Sequence, residues 1–354
     1  MKRKLFTIIT AAVLTCLLFS CKKENRYAAD THKAVLEGKT VVERYGNLQV
    51  IGADLCNEKG EPVQLRGMSS HGLQWYGKYA NKNVITWLRD DWNCQLWRAA
   101  LYTYGGYIGN PVLKEKVIDS IEACIDCGMY VLVDWHVLND RDPLLYQKQA
   151  EEFFDEISKT YGDKPNIIYE ICNEPNGDDI TWKDNIKPYA EKIIQVIRKN
   201  DPDNIIIVGT PVWSSDVTSA AEDPILNQKN IMYTLHFYAG SHGSSRRGHI
   251  TKAIKKGLPI FVTEWGCTKE SGDGGVFEKE TMEWIKYMEE NNISWTNWSV
   301  NNKGEDSGVL VFNADRDAKG GWKDKDLSKA GKFIRRILRN ELTYDIYKEE
   351  QKKK

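Results

Sequence analysis

The stretch Asn166-Ile-Ile-Tyr-Glu-Ile-Cys-Asn-Glu-Pro175 decides the fold. A short, nearly continuous apolar run is typical of a strand that is buried on both faces, as in a parallel sheet covered by helices. Two polar residues, Asn173 and Glu174, follow this run directly. A second stretch, Leu258-Pro-Ile-Phe-Val-Thr-Glu-Trp-Gly266, shows the same pattern of an apolar run, with Glu264 near its end. The sequence therefore predicts two buried strands that each end in a glutamate.

This strand pattern occurs eight times along the chain. The predicted strands begin near Val63, Cys94, Met129, Asn166, Asn204, Asn230, Leu258 and Ile293. Helical stretches, with apolar residues three and four positions apart, fill the gaps, for example over residues 111–127, 144–161 and 183–199. Eight such strand-helix units predict an α/β fold, a (β/α)8 TIM barrel that closes with a helix over residues 327–338.

The two ends of the chain carry different signals. Residues 1–20 combine a basic head with an apolar run that is too short for a comfortable membrane span. Ser20-Cys21 then predicts a lipoprotein signal peptide with Cys21 as the lipid-bearing residue, and the alternative is an ordinary secretory signal. Residues 21–45 are predicted to be a polar tether. Residues 46–341 form the barrel domain, and residues 342–354 a charged tail.

A short hairpin is expected at the start of the barrel domain, with strands over residues 48–51 and 63–65 around a turn at residues 57–60. The cysteines after the signal show no framework spacing. Cys124 and Cys127 share one helix face and are predicted to be packing residues, since the second CxxC of a four-thiolate zinc site is absent.

The expected partners follow from the predicted signal peptide and from the formal net charge. A lipid on Cys21 would hold the domain at a membrane surface without a spanning helix. We therefore expect an exported protein, anchored to the bacterial cell envelope at the outer membrane or cell surface. The formal charge is −1, or about −4 without the three basic residues of the signal, and no basic patch suggests a nucleic-acid partner. A monomer without cofactor or metal is expected.

In such barrels the chemistry lies where strands end at their carboxyl edge. Histidines, an arginine, two glutamates and aromatic residues follow the predicted strands. They are His71, Trp75, Arg98, Tyr102, His136, Asn173, Glu174, Trp213, His236, Tyr238, Glu264 and Trp298. Three of the six histidines of the chain are therefore predicted to converge on one face of the barrel.

Two carboxyl groups that face one cleft suit the cleavage of a glycosidic bond. When they lie about 5 to 5.5 Å apart, the second carboxylate attacks directly and the anomeric configuration is retained. We expect Glu174 to hold its proton as the acid/base and Glu264 to stay ionised as the nucleophile. Arg98 is a candidate for keeping Glu264 anionic.

Other interpretations stay open. Either glutamate could form a structural ion pair, the histidines could be hydrogen-bonded barrel residues, and Trp87, Trp97 and Trp284 are expected in the core. A metal-dependent barrel hydrolase could use the three histidines, although Ser69 stands where its first ligand is needed. A glycan-binding protein without activity would keep the aromatic residues, but the presence of both glutamates argues against it.

Six motifs resemble bacterial endo-β-1,4-glucanases of glycoside hydrolase family five, in the Bacillus-type cellulase branch. They are Arg66-Gly-Met-Ser-Ser-His-Gly-Leu-Gln-Trp-Tyr76, Trp97-Arg-Ala-Ala100, Val133-Asp-Trp-His136, Tyr169-Glu-Ile-Cys-Asn-Glu-Pro-Asn-Gly177, His236-Phe-Tyr-Ala-Gly240 and Thr263-Glu-Trp-Gly266. The similarity runs over residues 48–339. It implies a retaining endoglucanase that acts on β-1,4-glucan first, mixed-linkage glucan second and mannan third.

The resemblance also implies individual roles. Asn173 binds the 2-hydroxyl of the sugar that is cut, Tyr238 hydrogen-bonds the nucleophile, and His136 and His236 orient the site. Trp213 lines the leaving-group side. The glycone subsites are lined by His71, Trp75, Tyr102, Trp298, Lys303 and Glu305. Cys172 and Cys267 replace small residues of the family and are expected to pack, and Asn302 replaces a frequent histidine, which leaves the subsite preference open.

Overall fold

The computed structural model describes residues 38–353 and contains eight parallel strands that close into a barrel. The strands are β1 (Gln49–Ile51), β2 (Asp54–Cys56), β3 (Arg66–Ser70), β4 (Leu96–Tyr102), β5 (Tyr130–His136), β6 (Ile167–Glu170), β7 (Ile205–Val208), β8 (Ile231–Thr234), β9 (Phe237–Tyr238), β10 (Ile260–Gly266) and β11 (Trp295–Val300). The barrel order is β3-β4-β5-β6-β7-β8-β10-β11, and β11 pairs with β3 to close it. The predicted (β/α)8 fold is confirmed.

Helices connect the strands, and the longer ones cover the barrel on its outer face. They span Val41–Tyr45, Leu73–Tyr76, Lys82–Asp90, Lys114–Cys127, Gln147–Tyr161, Lys187–Arg198, Pro211–Ser214, Val217–Glu222, Ser244–Lys255, Glu278–Glu290, Lys329–Leu338 and Tyr344–Lys352. Three of the predicted helices begin a few residues late, because their first turns are 3-10 or π-helical, at Pro111–Leu113, Pro143–Tyr146 and Trp182–Ile186. Gly128 ends one of them at φ 66°, a left-handed conformation that glycine adopts without steric cost.

Alternation along each strand decides what fills the barrel. On β4, Trp97 packs outward beneath the helices, while Leu96 and Arg98 point inward. The same period of two places Leu132 and then Asp134 inside on β5. The lower interior is therefore apolar, and the upper interior is charged. Of the tryptophans expected in the core, Trp97 and Trp284 are fully buried and Trp87 packs against the same cluster.

The N-terminal boundary differs from the prediction. Residues up to 45 were expected in a polar tether, but Val41–Tyr45 is a helix that begins with a capping box between Thr40 and Glu43. Tyr45 is 4% exposed and joins the apolar cluster at the bottom of the barrel. A helix of 5 residues is too short to show a recognisable apolar period in the sequence.

Two further details are corrected. The second strand of the hairpin is Asp54–Cys56 rather than residues 63–65, because the chain already reverses at Gly52, which has φ 63°. The charged tail contains the helix Tyr344–Lys352, and Tyr347 is buried. The six cysteines of the described residues are buried and free of disulfides, as packing residues would be.

The predicted signal peptide and Cys21 lie outside the described residues. Within residues 38–353, no helix combines the length and apolar character that crossing a membrane requires.

Candidate active site

A buried arginine lies in the barrel beneath the strand ends. Arg98 has no exposed surface and donates from Nε to Glu170 Oε2 at 2.7 Å and from Nη1 to Glu264 Oε2 at 3.0 Å. Its Nη2 lies 2.9 Å from Asp134 Oδ2 and donates to Asn173 Oδ1 at 2.7 Å. Burial alone would lower the pKa of Arg98, but these carboxylates raise it. The arginine therefore remains a cation that touches the predicted nucleophile.

Glu264 lies at the carboxyl end of β10 and is held at both carboxylate oxygens. Arg98 binds Oε2, and the hydroxyl of Tyr238 donates to Oε1 at 2.7 Å. Burial alone would raise the pKa of Glu264, but the positive charges of His236 and Arg98 and the hydrogen bond from Tyr238 outweigh it and lower the pKa. An ionised carboxylate therefore faces the cavity.

Glu174 follows β6 and faces the same cavity. Its backbone nitrogen donates to Val137 O at 3.0 Å, which fixes the strand end. Oε1 lies 2.8 Å from His236 Nδ1. Burial raises the pKa of Glu174, and the nearby charge of Glu264 adds to this, so the lowering effect of the histidine contact is exceeded. One carboxylate oxygen of each glutamate and one nitrogen of His236 lie within 4.8 Å of one another. One oxygen of each carboxyl group thus lies within 4.8 Å of the other, and the two pKa values are shifted in opposite directions.

His236 and His136 differ in charge. Burial opposes protonation of His236, but its contacts with Glu170 and Glu174 raise its pKa to about 9. Burial, reinforced by the cation of Arg98, lowers the pKa of His136 to about 3. His236 is therefore a cation beside the acid/base candidate, whereas His136 is neutral near the nucleophile.

An aromatic cluster lines one side of the cavity. The ring of Trp298 lies 5.1 Å from His71 and 5.6 Å from His136, and Tyr102 stacks on His136 at 4.1 Å. Trp75 lies 5.2 Å from Tyr102 and is 58% exposed. Burial lowers the pKa of His71 to about 4, so this ring is neutral. The cluster offers flat, uncharged faces of the kind that suit stacking against a ring-shaped ligand.

Polar side chains border this cluster. Lys303 donates from Nζ to Glu305 Oε2 at 2.6 Å, and Glu305 Oε1 lies 3.7 Å from His71 Nε2. Asn302 instead donates to Ala314 O at 2.9 Å, so its side-chain nitrogen is occupied within its own loop. The predicted glycone residues are therefore brought together, without a contribution from Asn302 to the cavity lining.

Trp213 stands apart from the cluster, after β7. Val212, Trp213 and Ser214 have φ values of 59°, 54° and 49°, in the left-handed region that residues with side chains rarely adopt. Trp213 donates from its backbone nitrogen to Pro175 O at 3.1 Å, and Ser214 Oγ donates to Asn173 O at 2.5 Å. The strained turn is thus tied to the strand end of Glu174, and it holds a half-exposed indole at the cavity.

The site residues enclose a cavity of about 770 Å³. The predicted residues line it except Arg98 and Asn173, which lie fully buried beneath it. Sequence reasoning missed lining residues on the loops beyond the strand ends. They are Leu138, Asn139, Val212, His242, Arg246, Glu270, Ser271 and Gly272. Only His242, four residues after the predicted site residue Tyr238, carried a signal by residue type.

The histidines do not fit a metal site. In the described part of the chain, Glu174, His236 and Glu264 are the one group of three potential ligands that lie close together, and His71 and His136 are outside it. Both ring nitrogens of His236 are already bonded within the protein, at 2.8 Å to Glu174 and at 2.9 Å to Thr263. Neither ring nitrogen of His236 is therefore free to bind a metal, whereas the group suits proton transfer.

The opposite pKa shifts of the two glutamates predict a bell-shaped pH dependence of kcat/KM. With Glu264 as the predicted nucleophile, activity should fall as the pH drops through a pKa below the ordinary glutamate value of 4.5. With Glu174 as the predicted acid, activity should also fall as the pH rises through a pKa above 4.5. Initial rates on an aryl cellobioside between pH 3 and 10 measure both limbs, and a single-limb profile would contradict the assignment.

Comparison with known proteins agrees with this geometry. The family described as Cellulase (glycosyl hydrolase family 5) matches residues 56–304. Endoglucanase A from Evansella cellulosilytica is 53% identical over 85% of this chain, and the match spans 61% of that protein. An endoglucanase from Clostridium saccharobutylicum is 46% identical over 95% of this chain and 72% of its own length.

Solved structures show the same likeness. The catalytic domain of the Thermobifida fusca endoglucanase Cel5A, in complex with cellotetraose, superposes with a TM-score of 0.80 at 39% identity and covers 85% of this chain and 99% of that one. The family match covers more than half of the sequence, and the barrel carries the two glutamates on facing strand ends. The chain therefore belongs to the cellulases of glycosyl hydrolase family 5.

Proposed function

We propose that the chain is a retaining endoglucanase that hydrolyses internal β-1,4-glucosidic bonds of cellulose and related β-glucans. The observation that carries this proposal is the pair Glu174 and Glu264, whose carboxylate oxygens approach within 4.8 Å and whose pKa values are shifted in opposite directions. Relatives that share the family are named endoglucanases, and the Thermobifida fusca structure holds cellotetraose.

The first step transfers the sugar to the protein. Glu264 attacks the anomeric carbon while Glu174 gives its proton to the glycosidic oxygen, so the C–O bond breaks and the leaving chain departs as an alcohol. Tyr238 and Arg98 hold the attacking carboxylate in place. Asn173, buried beneath the cavity, accepts from Arg98 at Oδ1 and donates from Nδ2 to Val137 O, and we propose that its second amide hydrogen meets the sugar 2-hydroxyl.

The second step returns the protein to its starting state. Glu264 loses its charge in the ester, which removes the electrostatic reason for Glu174 to keep a proton. Glu174 then takes a proton from water, and the hydroxide oxygen attacks the same anomeric carbon. The ester bond breaks, and two inversions leave the β-configuration in the product.

The shape of the site favours a polymer over a short sugar. Aromatic surface lines the cavity at more than one place, with Trp75 and Trp298 in one cluster and Trp213 outside it. Such an arrangement binds several sugars across the cleavage point. We rank β-1,4-glucan first, mixed-linkage glucan second and mannan third, and we propose that one copy acts alone, without cofactor or nucleic acid.

A polysaccharide panel followed by proton NMR tests the proposal. Soluble cellulose derivatives and mixed-linkage glucan should lose viscosity quickly, as internal cleavage requires, and the first product should be the β-anomer. Initial release of the α-anomer would overturn the double displacement. A protein that bound cello-oligosaccharides without cleaving them would support the glycan-binding alternative, and loss of activity with a chelator, restored by zinc, would support a metal hydrolase.

The location is a separate proposal. We propose export and attachment to the bacterial cell envelope through a lipid on Cys21, at the outer membrane or cell surface, because a basic head and a short apolar run precede Ser20-Cys21. The Cys21→Ser variant of the full chain, expressed in a bacterium that lipidates exported proteins, should move from the membrane fraction to the soluble fraction and lose labelled palmitate. Equal membrane association of both forms would contradict the proposal.

A further inference from the structure

Glu170 is a buried carboxylate that the two-step reaction does not use. It lies at the end of β6, four residues before Glu174, and has no exposed surface. Oε2 accepts from Arg98 Nε at 2.7 Å, and Oε1 accepts from Thr263 Oγ1 at 2.5 Å. Burial alone would raise the pKa of Glu170, but Arg98 and His236 lower it to about 2. Glu170 is therefore ionised and cannot touch the substrate.

The charge of Glu170 decides the direction of the next hydrogen bond. A threonine hydroxyl has one hydrogen and two lone pairs, and an ionised carboxylate can only accept. The hydrogen of Thr263 therefore points at Glu170. His236 Nε2 lies 2.9 Å from the same hydroxyl oxygen, so it must be the donor of that contact. His236 thus carries a hydrogen on Nε2.

The hydrogen on Nε2 limits the roles that are open to Nδ1, the other ring nitrogen of His236. His236 Nδ1 lies 2.8 Å from Glu174 Oε1. With Nε2 already protonated, Nδ1 either accepts the acid proton of Glu174 or, as an N–H, donates to its carboxylate. The imidazole can therefore stabilise Glu174 after the acid has given its proton to the leaving oxygen.

We propose that Glu170, acting through Thr263, is a positioning residue that holds a hydrogen on His236 Nε2 and so leaves Nδ1 to exchange a proton with Glu174. This inference rests on the proposed function of Glu174 as the acid/base. It also links the two glutamates, because Arg98 binds Glu170 and Glu264 at once. The term Glu170 relay denotes the side chains of Glu170, Thr263 and His236.

Other groups face the relay and contribute to its titration. They lie on the strands and the helix that pack around Glu174 and His236. They are Arg98, Tyr102, Asp134, His136, Tyr238, Arg246 and Glu264. A test must therefore change the relay while it leaves these groups in place.

Two variants distinguish the relay from the alternative that Glu170 only balances the positive charge of Arg98. Glu170→Gln removes the charge, and an amide N–H that faces Thr263 releases the hydroxyl hydrogen to turn toward His236 Nε2 or toward Thr234 Oγ1, which lies 2.6 Å away. Thr263→Val keeps the pair of Glu170 and Arg98 but removes the hydroxyl that lies 2.9 Å from Nε2, which leaves the longer 3.7 Å approach of Nε2 to Glu170 Oε1. Both changes make His236 lose its proton more easily. Because the positive charge of His236 lowers the pKa of Glu174, its loss should move the basic limb of the pH profile up by about one unit in each variant, as expected from losing a hydrogen bond to a charged group.

The leaving group supplies a second readout. On a cellobioside whose leaving group needs a proton, kcat should fall about tenfold or more in both variants, whereas 2,4-dinitrophenyl cellobioside should react within about threefold of the parent rate. Nitrogen-15 NMR of the ring, assigned with His236→Asn, should show Nε2–H in the parent chain and a mixture or reversal in Glu170→Gln.

Matched controls are available outside the site. Thr281 is fully buried and its hydroxyl has no hydrogen-bond partner, so Thr281→Val should keep the parent profile. Glu289, which pairs with Arg66 at 3.1 Å, gives Glu289→Gln as the match for the charge change. Unchanged basic limbs in Glu170→Gln and Thr263→Val, with equal losses on both substrates, would overturn the relay. Parent activity in Glu174→Gln would instead overturn the proposed function.

Discussion

Glu264→Ala is expected to lower kcat on soluble β-glucan by about 10⁵-fold, the scale seen when a covalent nucleophile is removed from a preorganised site. The loss should be as large for an activated aryl cellobioside, because no leaving group can replace the missing carboxylate. The barrel should still fold, since Arg98 keeps its contacts with Glu170, Asp134 and Asn173.

Rescue by azide distinguishes the loss of the nucleophile from a general loss of activity. The cavity left by the truncated side chain admits a small anion, which can attack the anomeric carbon in place of Glu264. The product should then be the α-glycosyl azide, because a single displacement inverts the configuration. Glu289→Ala, far from the cavity, serves as the control and should keep parent kcat. A Glu264→Ala protein with parent kcat, or a β-azide product, would refute the assignment.

The barrel could be predicted because buried parallel strands appear in the sequence as short, continuous apolar runs. Runs such as Ile205–Val208 are apolar on both faces, and each is followed by a helical period. The short elements at the ends could not be found in this way. Val41–Tyr45 is too short for a period, and Tyr344–Lys352 is mostly charged, so Tyr347 alone marks its buried face.

The site was predictable where chemistry interrupts an apolar run at the end of a strand. Glu174, Glu264 and His236 were found on that basis, and they lie together. Glu170 and Thr263 were not recognised, although they stand in the same runs. Within a strand, one polar residue among apolar ones carries no sign of whether it faces the barrel interior or a helix, and only the closed barrel shows that these two meet.

Cavity residues that lie beyond the strand ends were still harder to recognise in the sequence. Arg246, on the helix Ser244–Lys255, donates to His236 O at 3.0 Å and lines the cavity, yet in the sequence it is one basic residue beside another. Its position depends on how the loop after β9 folds back over the strand ends. That path is set by contacts distant in sequence, which neither periodicity nor composition encodes.

Glu174→Ala is expected to show a loss that depends on the leaving group. On soluble β-glucan, whose leaving alcohol must be protonated, kcat/KM should fall by about 10³-fold, within the range of general acid catalysis. With 2,4-dinitrophenyl cellobioside the first step should keep most of its rate, since this leaving group departs without a proton. The second step, which needs Glu174 as the base, should become rate-limiting, so a burst of dinitrophenol should precede slow turnover.

Two further readouts set the acid/base apart from a residue that only shapes the cavity. On an aryl cellobioside whose leaving group needs a proton, the basic limb of the kcat/KM profile should disappear, because the group whose raised pKa causes it is gone. Azide should speed turnover of the accumulated ester and yield the β-glycosyl azide, the opposite anomer to that expected from Glu264→Ala. Trp213→Ala, which removes cavity surface but no proton, is the control and should keep both limbs. If Glu174→Ala instead lost activity equally on every leaving group, Glu174 would not be the acid. Removal of a general acid must slow the cleavage of a poor leaving group, which needs the proton, more than that of a good one.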